Sequence, residues 1–138
     1  MIFEEFKKTY NQLNKDNLYL LDNIYSHEAT FIDPFKQIQN LSNIKAYFEE
    51  LYENVKAIRF EFNDANSQGN VHFIAWNMFL SHPKINSGKE FCVPGVSHLK
   101  TDEKQKISFH RDYFDAGNML YEKLPVIGSV ISWIKRKL

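Results

Sequence analysis

After Val55 the spacing of apolar residues changes from helical to extended, and that change limits the architectures open to the chain. From Leu41 to Val55, apolar residues recur at three- and four-residue steps; from Ile58 they alternate. Ile58, Phe60 and Phe62 interleave with Arg59, Glu61 and Asn63, the turn-rich DANSQGN follows, and Val71 to Leu80 forms a longer run that is apolar on both faces. A strand covered on both faces belongs in the middle of a sheet. Phe91 to Leu99 and Ile107 to Phe114 come next, set off by HPKINSGK and TDEKQK. Four consecutive strand-like runs joined by polar turns, with no helix between them, predict an antiparallel meander.

Helical periodicity occupies the two ends. Phe3, Phe6, Tyr10 and Leu13 lie on one stripe until Asn14, Lys15, Asp16 and Asn17 interrupt it with turn chemistry. A second short helix is expected to start at Asp16 or Asn17 and to carry Leu18, Leu21 and Tyr25. ATFID, Ala29 to Asp33, reads as a brief strand that Pro34 stops. Behind the caps Asn40 and Ser42, the residues Leu41, Ile44, Phe48, Leu51 and Val55 predict a third amphipathic helix. From Asp115 the period is helical again, with Leu120, Leu124, Ile127, Ile131, Ile134 and Leu138 on a stripe that Val126, Val130 and Trp133 broaden and Pro125 divides. Helices first and a curled sheet after them make an α+β fold in which helices cover one concave face.

Composition excludes several classes. At 138 residues, with 43% hydrophobic and 25% charged residues, the chain is expected to form a single globular domain over residues 1–138. Lys plus Arg and Asp plus Glu both number 17, so 17 − 17 = 0 and no net positive charge favours nucleic acid. No run approaches the roughly 20 apolar residues of a membrane span or forms a secretory leader, and no membrane partner is expected. The single cysteine, Cys92, can form no internal disulfide; a reducing, cytoplasmic setting follows, with Cys92 as a small buried hydrophobe. The aromatic fraction of 15% suits a cavity walled by rings, and equally suits plain packing.

The segments ATFIDPF, GVSHL and ISFHRDYFDAG, in that order with a helix after IDPF, resemble the nuclear transport factor 2-like superfamily, especially its SnoaL-like and ketosteroid isomerase-like members. The resemblance spans essentially the whole chain. It implies a cone-shaped fold with three N-terminal helices in the mouth of a strongly curved, mostly antiparallel sheet, a hydrophobic cavity between them, and a homodimer formed through the sheet. By the ketosteroid isomerase-like pattern, Asp33 in IDPF stands where a general base moves a proton beside a carbonyl, and the oxyanion-holding position falls in GVSHL, which offers Ser97 and His98. Epoxide-hydrolase-like relatives end in a strand resembling WRDYFD; here His110 replaces the tryptophan and Asp112 keeps the acid.

Spacing adds to this independently. His110 and Asp112 are two apart on one strand, hence on one face with Phe114, where an imidazole and a carboxylate can exchange protons with a ligand or brace the sheet as an ion pair. Arg111, Tyr113 and Asp115 face the other way, with Tyr113 available to a homodimer partner. On the long strand, Trp76 and Met78 are the choice for the pocket wall over the opposite row, Phe73, Ala75, Asn77 and Phe79. The five histidines scatter and no close-spaced ligand pair occurs, so neither a metal nor another cofactor is expected. Two functions stay open: proton-transfer chemistry of isomerase, cyclase or dehydratase type on a small apolar carbonyl-containing molecule, and a non-catalytic ligand-binding or dimerisation domain.

Overall fold

A computed structural model of the chain describes the backbone of residues 2–119 and 127–138 and the side chains of residues 2–117, 130 and 132–138. Helix α1 spans Ile2–Gln12, with Glu4 and Glu5 in its first turn, where carboxylates favour the dipole. The asparagines that follow end it. Asn14 and Asp16 donate their backbone N–H groups to Asn17 Oδ1 and Asn14 Oδ1, and Asn17 Nδ2 donates to the Gln12 carbonyl. The expected second helix is a single 3-10 segment, Leu18–Asn23, and Tyr25 already opens strand β1, Tyr25–Ile32. Helix α2 covers Leu41–Asn54 and buries Leu41, Ile44 and Phe48. Asn40, the residue before the helix, sits at φ 76° and makes no side-chain cap bond.

The remaining strands are β2 (Gln37–Gln39), β3 (Ala57–Gln68), β4 (Val71–Ser81), β5 (Phe91–Thr101) and β6 (Ile107–Phe114). They form one curved, open sheet in the order β2-β1-β6-β5-β4-β3. The meander β3 to β6 is antiparallel throughout. Strand β4, expected in the middle of the sheet with both faces covered, lies between β5 and the edge strand β3, and its burial alternates, with the inward row buried and Phe73 of the outward row exposed. The mixed character comes from β1, which pairs parallel with β6 through Thr30↔Phe109 and Ile32↔Arg111. This pairing extends β1 back to Tyr25, four residues before the predicted start. Strand β3 likewise runs on through DANSQ, leaving only Gly69 and Asn70 as the turn, with Gly69 at φ +62°. A shift of register between Phe62 and Ala65 bends β3 and tightens the twist of the sheet.

The concave face carries two apolar clusters. One, around Phe6, Leu21, Ile24, Phe31, Ile44 and Leu99, fills the space between helices and sheet; the other gathers Trp76, Met78, Leu80, Ile85, Phe91 and Val93. The convex face leaves Phe73, Val96 and Tyr113 exposed. Cys92, expected to be buried, is exposed as well, because strand alternation puts it opposite the buried Phe91 and Val93.

Among the described residues, the C-terminal part carries the helical pieces α3 (Ala116–Met119) and α4 (Ile127–Lys137). Leu120, Leu124, Pro125 and Val126 of the predicted stripe lie outside the described residues. Val130, Trp133 and Ile134, expected on the packed side, are exposed, and Lys135 Nζ meets Asp115 Oδ2 at 2.6 Å. Among the described residues no helix is long and apolar enough to cross a membrane.

Candidate functional site

Where the helices meet the sheet, a cavity of about 140 Å³ remains. Its wall is mostly ring and hydrocarbon: Phe31, Phe48, Phe60, Trp76, Met78 and Phe114. Two carboxylates, Asp33 and Asp112, reach it, along with Tyr10, Tyr47 and Tyr52. An open cleft lined by Asp33, Pro34, Arg111, Asp112, Tyr113 and Phe114 adjoins it, so both carboxylates stand where the enclosed space meets the outside.

Asp33 is placed by the turn it begins. Its Oδ1 accepts the backbone N–H groups of Phe35 and Lys36, both at 2.8 Å, and its own N–H donates to the Lys36 carbonyl at 2.9 Å. An aspartate at the first corner and a proline at the second suit this turn. The other oxygen, Oδ2, accepts the Tyr47 hydroxyl at 2.6 Å. Burial first, then the bond to Asp33 and its negative charge, holds the Tyr47 phenol far above its ordinary ionisation range.

Asp112 is held from behind. Its Oδ1 accepts Ser97 Oγ at 2.5 Å and lies 2.6 Å from His110 Nε2. Ser97 in turn accepts Trp76 Nε1–H at 2.9 Å, which fixes the indole that walls the cavity. Ser97↔Asp112 and Leu99↔His110 are direct partners across β5 and β6, so sheet register alone brings these groups together. Among the described residues, every buried side-chain nitrogen or oxygen has a hydrogen-bond partner. The network is complete, and its side chains are therefore fixed in orientation.

The structure brings together most of the sequence-predicted residues, at different depths. Asp33, Asp112, Trp76, Met78 and Phe114 line the cavity. His110 does not reach the wall; it is 1% exposed and lies behind Asp112, packed against the Phe31 ring at 4.7 Å. Ser97, also 1% exposed, is a strut between Trp76 and Asp112 and not a wall residue. His98 sits on the convex face, stacked on Phe73 at 4.6 Å, since neighbours on a strand point to opposite sides. Among the described residues no three His, Cys, Asp or Glu side chains converge as metal ligands.

Sequence reasoning missed the tyrosines. Tyr10 Oη lies 2.6 Å from Tyr25 Oη, which lies 2.5 Å from His110 Nδ1. Burial pushes the pKa of both phenols well above the usual value, so they resist ionisation. A tyrosine, in place of phenylalanine or leucine, on the inward stripe of α1 was the available signal, because a buried hydroxyl needs a partner.

Known structures share this arrangement of elements. A Catenulispora acidiphila protein of ketosteroid isomerase-like fold, solved with trimethylamine, superposes with a TM-score of 0.76 at 16% identity, covering 90% of this chain and 93% of its own. A Shewanella denitrificans protein named for the SnoaL-like polyketide cyclases gives 0.71 at 21% identity, over 86% and 93% of the two chains. An Agrobacterium tumefaciens protein named for the isomerases of the SnoaL-like family gives 0.66 at 16% identity, over 83% and 95%. No sequence among curated proteins matches the chain. At these identities the structures establish the fold. The model of the SnoaL-like domain matches residues 6–110, and the chain belongs to that family.

Proposed function

We propose that the cavity binds a small apolar molecule bearing a carbonyl group and that the protein moves a proton on it, the chemistry common to isomerases, cyclases and dehydratases. The observation that carries this reading is the pair of carboxylates, Asp33 and Asp112, at the mouth of a cavity otherwise walled by aromatic and aliphatic side chains. Carboxylates facing apolar space are the usual means of abstracting a proton beside a carbonyl. An apolar cavity on the order of 150 Å³ accommodates a single benzene ring. A volume of about 140 Å³ therefore suits one ring-sized portion of a ligand, with the remainder extending past Asp33 and Asp112 into the adjoining cleft.

In this reading Asp33 Oδ2 is the base, with Tyr47 steadying it, and Asp112 is the second carboxylate, oriented by His110 and Ser97. Trp76, Met78 and Phe114 form the apolar wall. The working unit is a homodimer joined through the convex face, where Phe73 is 45% and Tyr113 49% exposed in the protomer.

The test is mass spectrometry of gently purified protein. A carbonyl-containing compound should co-purify with the wild type and be absent from Met78→Trp, which fills the cavity. With that compound as substrate, Asp33→Asn and Asp112→Asn should each slow turnover at least ~100-fold while leaving the fold intact. Retention of the same compound by Met78→Trp, or undiminished turnover in both aspartate variants, would refute the reading.

A further inference from the structure

Tyr10 and Asp112 both line the cavity, and a continuous run of side-chain hydrogen bonds joins them through the interior. Tyr10 Oη to Tyr25 Oη is 2.6 Å, Tyr25 Oη to His110 Nδ1 is 2.5 Å, and His110 Nε2 to Asp112 Oδ1 is 2.6 Å. The four residues come from α1, β1 and β6, so only the assembled fold creates the run.

Counting hydrogens gives the run a direction. A carboxylate oxygen only accepts, so His110 Nε2 carries its hydrogen toward Asp112, beside the one that Ser97 supplies. Nδ1 is then the variable atom. When it is bare, it accepts the Tyr25 hydrogen, Tyr25 accepts that of Tyr10, and Tyr10 turns a lone pair to the cavity. When it is protonated, it donates to Tyr25, Tyr25 donates to Tyr10, and the Tyr10 hydrogen points into the cavity.

We propose that Tyr10 is a catalytic acid–base residue of this site, exchanging a proton with the bound ligand on behalf of the buried His110, with Tyr25 as the connecting hydroxyl. The proposal rests on the cavity being a ligand site. In the donating direction, the Tyr10 O–H bond breaks toward a ligand oxygen, the Tyr25 proton passes to Tyr10, and the Nδ1 proton passes to Tyr25. Imidazolium becomes neutral imidazole, the ligand gains one proton and one unit of positive charge, and no electron pair leaves its own atom. The accepting direction is the reverse.

The surroundings of the run fit this role. The titratable groups facing it are Asp112 from its own strand, Tyr10 from α1, Tyr25 from β1 and Tyr52 from α2, with the Phe6 and Phe31 rings closing off water. Because burial keeps both phenols protonated, the imidazole is the member of the run suited to hold the extra proton.

Nitrogen NMR of the full chain labelled at histidine tests the relay without a known substrate, with calorimetric binding of phenol as a parallel measurement. In wild type the neutral His110 ring should carry its hydrogen on Nε2. In Tyr10→Phe the imidazolium form loses the acceptor at the end of its run, so the His110 midpoint should fall by about one pH unit or more. Tyr25→Phe removes the first acceptor and should lower it too, which keeps the test available if one variant folds poorly. An unmoved midpoint in these variants, or a neutral ring protonated on Nδ1, overturns the relay. If the midpoint moves but phenol does not bind, the relay stands and the ligand reading fails; if phenol binds and the midpoint does not move, the relay alone fails.

Discussion

Replacing Gly95 with alanine tests how the cavity wall is built. Gly95 lies on β5 directly between Trp76 on β4 and Phe114 on β6, and its lack of a side chain lets the indole fold across the strand toward Phe114. A Cβ at Gly95 would sit 2.2 Å from Trp76 Cη2 and 2.6 Å from Cζ2 and Cζ3. Carbon atoms in contact prefer about 3.5 Å or more, so the ring must retreat by roughly 1.3 Å. Phe60, packed edge-on at 5.7 Å, and the bond to Ser97 oppose that movement. Overpacking of this kind costs about 1–3 kcal/mol, and weakening the indole–serine bond adds about 1 kcal/mol. With an unfolding entropy near 2.1 cal/mol/K per residue, a loss of about 2–4 kcal/mol lowers Tm by about 7–14 °C in a chain of this length. Thermal unfolding followed by circular dichroism measures it. The same substitution in a Trp76→Phe background should cost much less, because the ring atoms it strikes are gone. An unchanged Tm for Gly95→Ala, or an equal loss in both backgrounds, would show that the ring does not depend on the glycine.

Two further outcomes are expected elsewhere in the fold. Burial lowers the ionisation of His72, whose ring bonds Ser67 Oγ at 2.6 Å and Thr101 Oγ1 at 3.0 Å; burial first, then Lys100 and Arg111, does the same for His98. As pH falls below about 6.5 the unfolded chain takes up protons that these folded histidines resist, so stability should decline and then level off below their folded-state midpoints. Urea unfolding at a series of pH values reads this, and a slope in His72→Gln as steep as in wild type would contradict it. For the homodimer, sedimentation should give twice the mass of the 16.3 kDa chain, and Tyr113→Glu should shift the population to monomer; a wild-type mass of one chain at every concentration would exclude the assembly.

How far the site was legible depended on whether alternation along a strand decided the question. Asp112 and Phe114, two apart on β6, share the cavity face as their spacing required, and Trp76 and Met78 share it on β4. The same rule admits only one of Ser97 and His98 to the inside, and the inner residue is Ser97. What alternation cannot give is depth. His110 and Asp112 point the same way, but β1 and α1 close over His110 and leave Asp112 at the mouth, so the imidazole meets the cavity only through the side chains it bonds. Tyr25 shows the limit of local periodicity more directly. Its spacing from Leu18 and Leu21 is helical, yet pairing with Ile107 makes it the first residue of a strand and brings its hydroxyl to His110.

The sequence alone determined the elements whose burial is regular: α1, α2 and the strands β4 and β6, together with the carboxylate that starts the turn at Asp33-Pro34. Hydrophobic period and turn chemistry are local, and they act before any partner is in place. The tertiary structure decided what pairing and closure decide: the parallel join of β1 to β6, the extension of β3 through a polar segment, and the layering of Tyr10, Tyr25, His110 and Asp112 into one run. Those contacts lie up to 85 residues apart in the chain, and a hydrogen bond over that separation exists only once the sheet has curved and the helices have covered it.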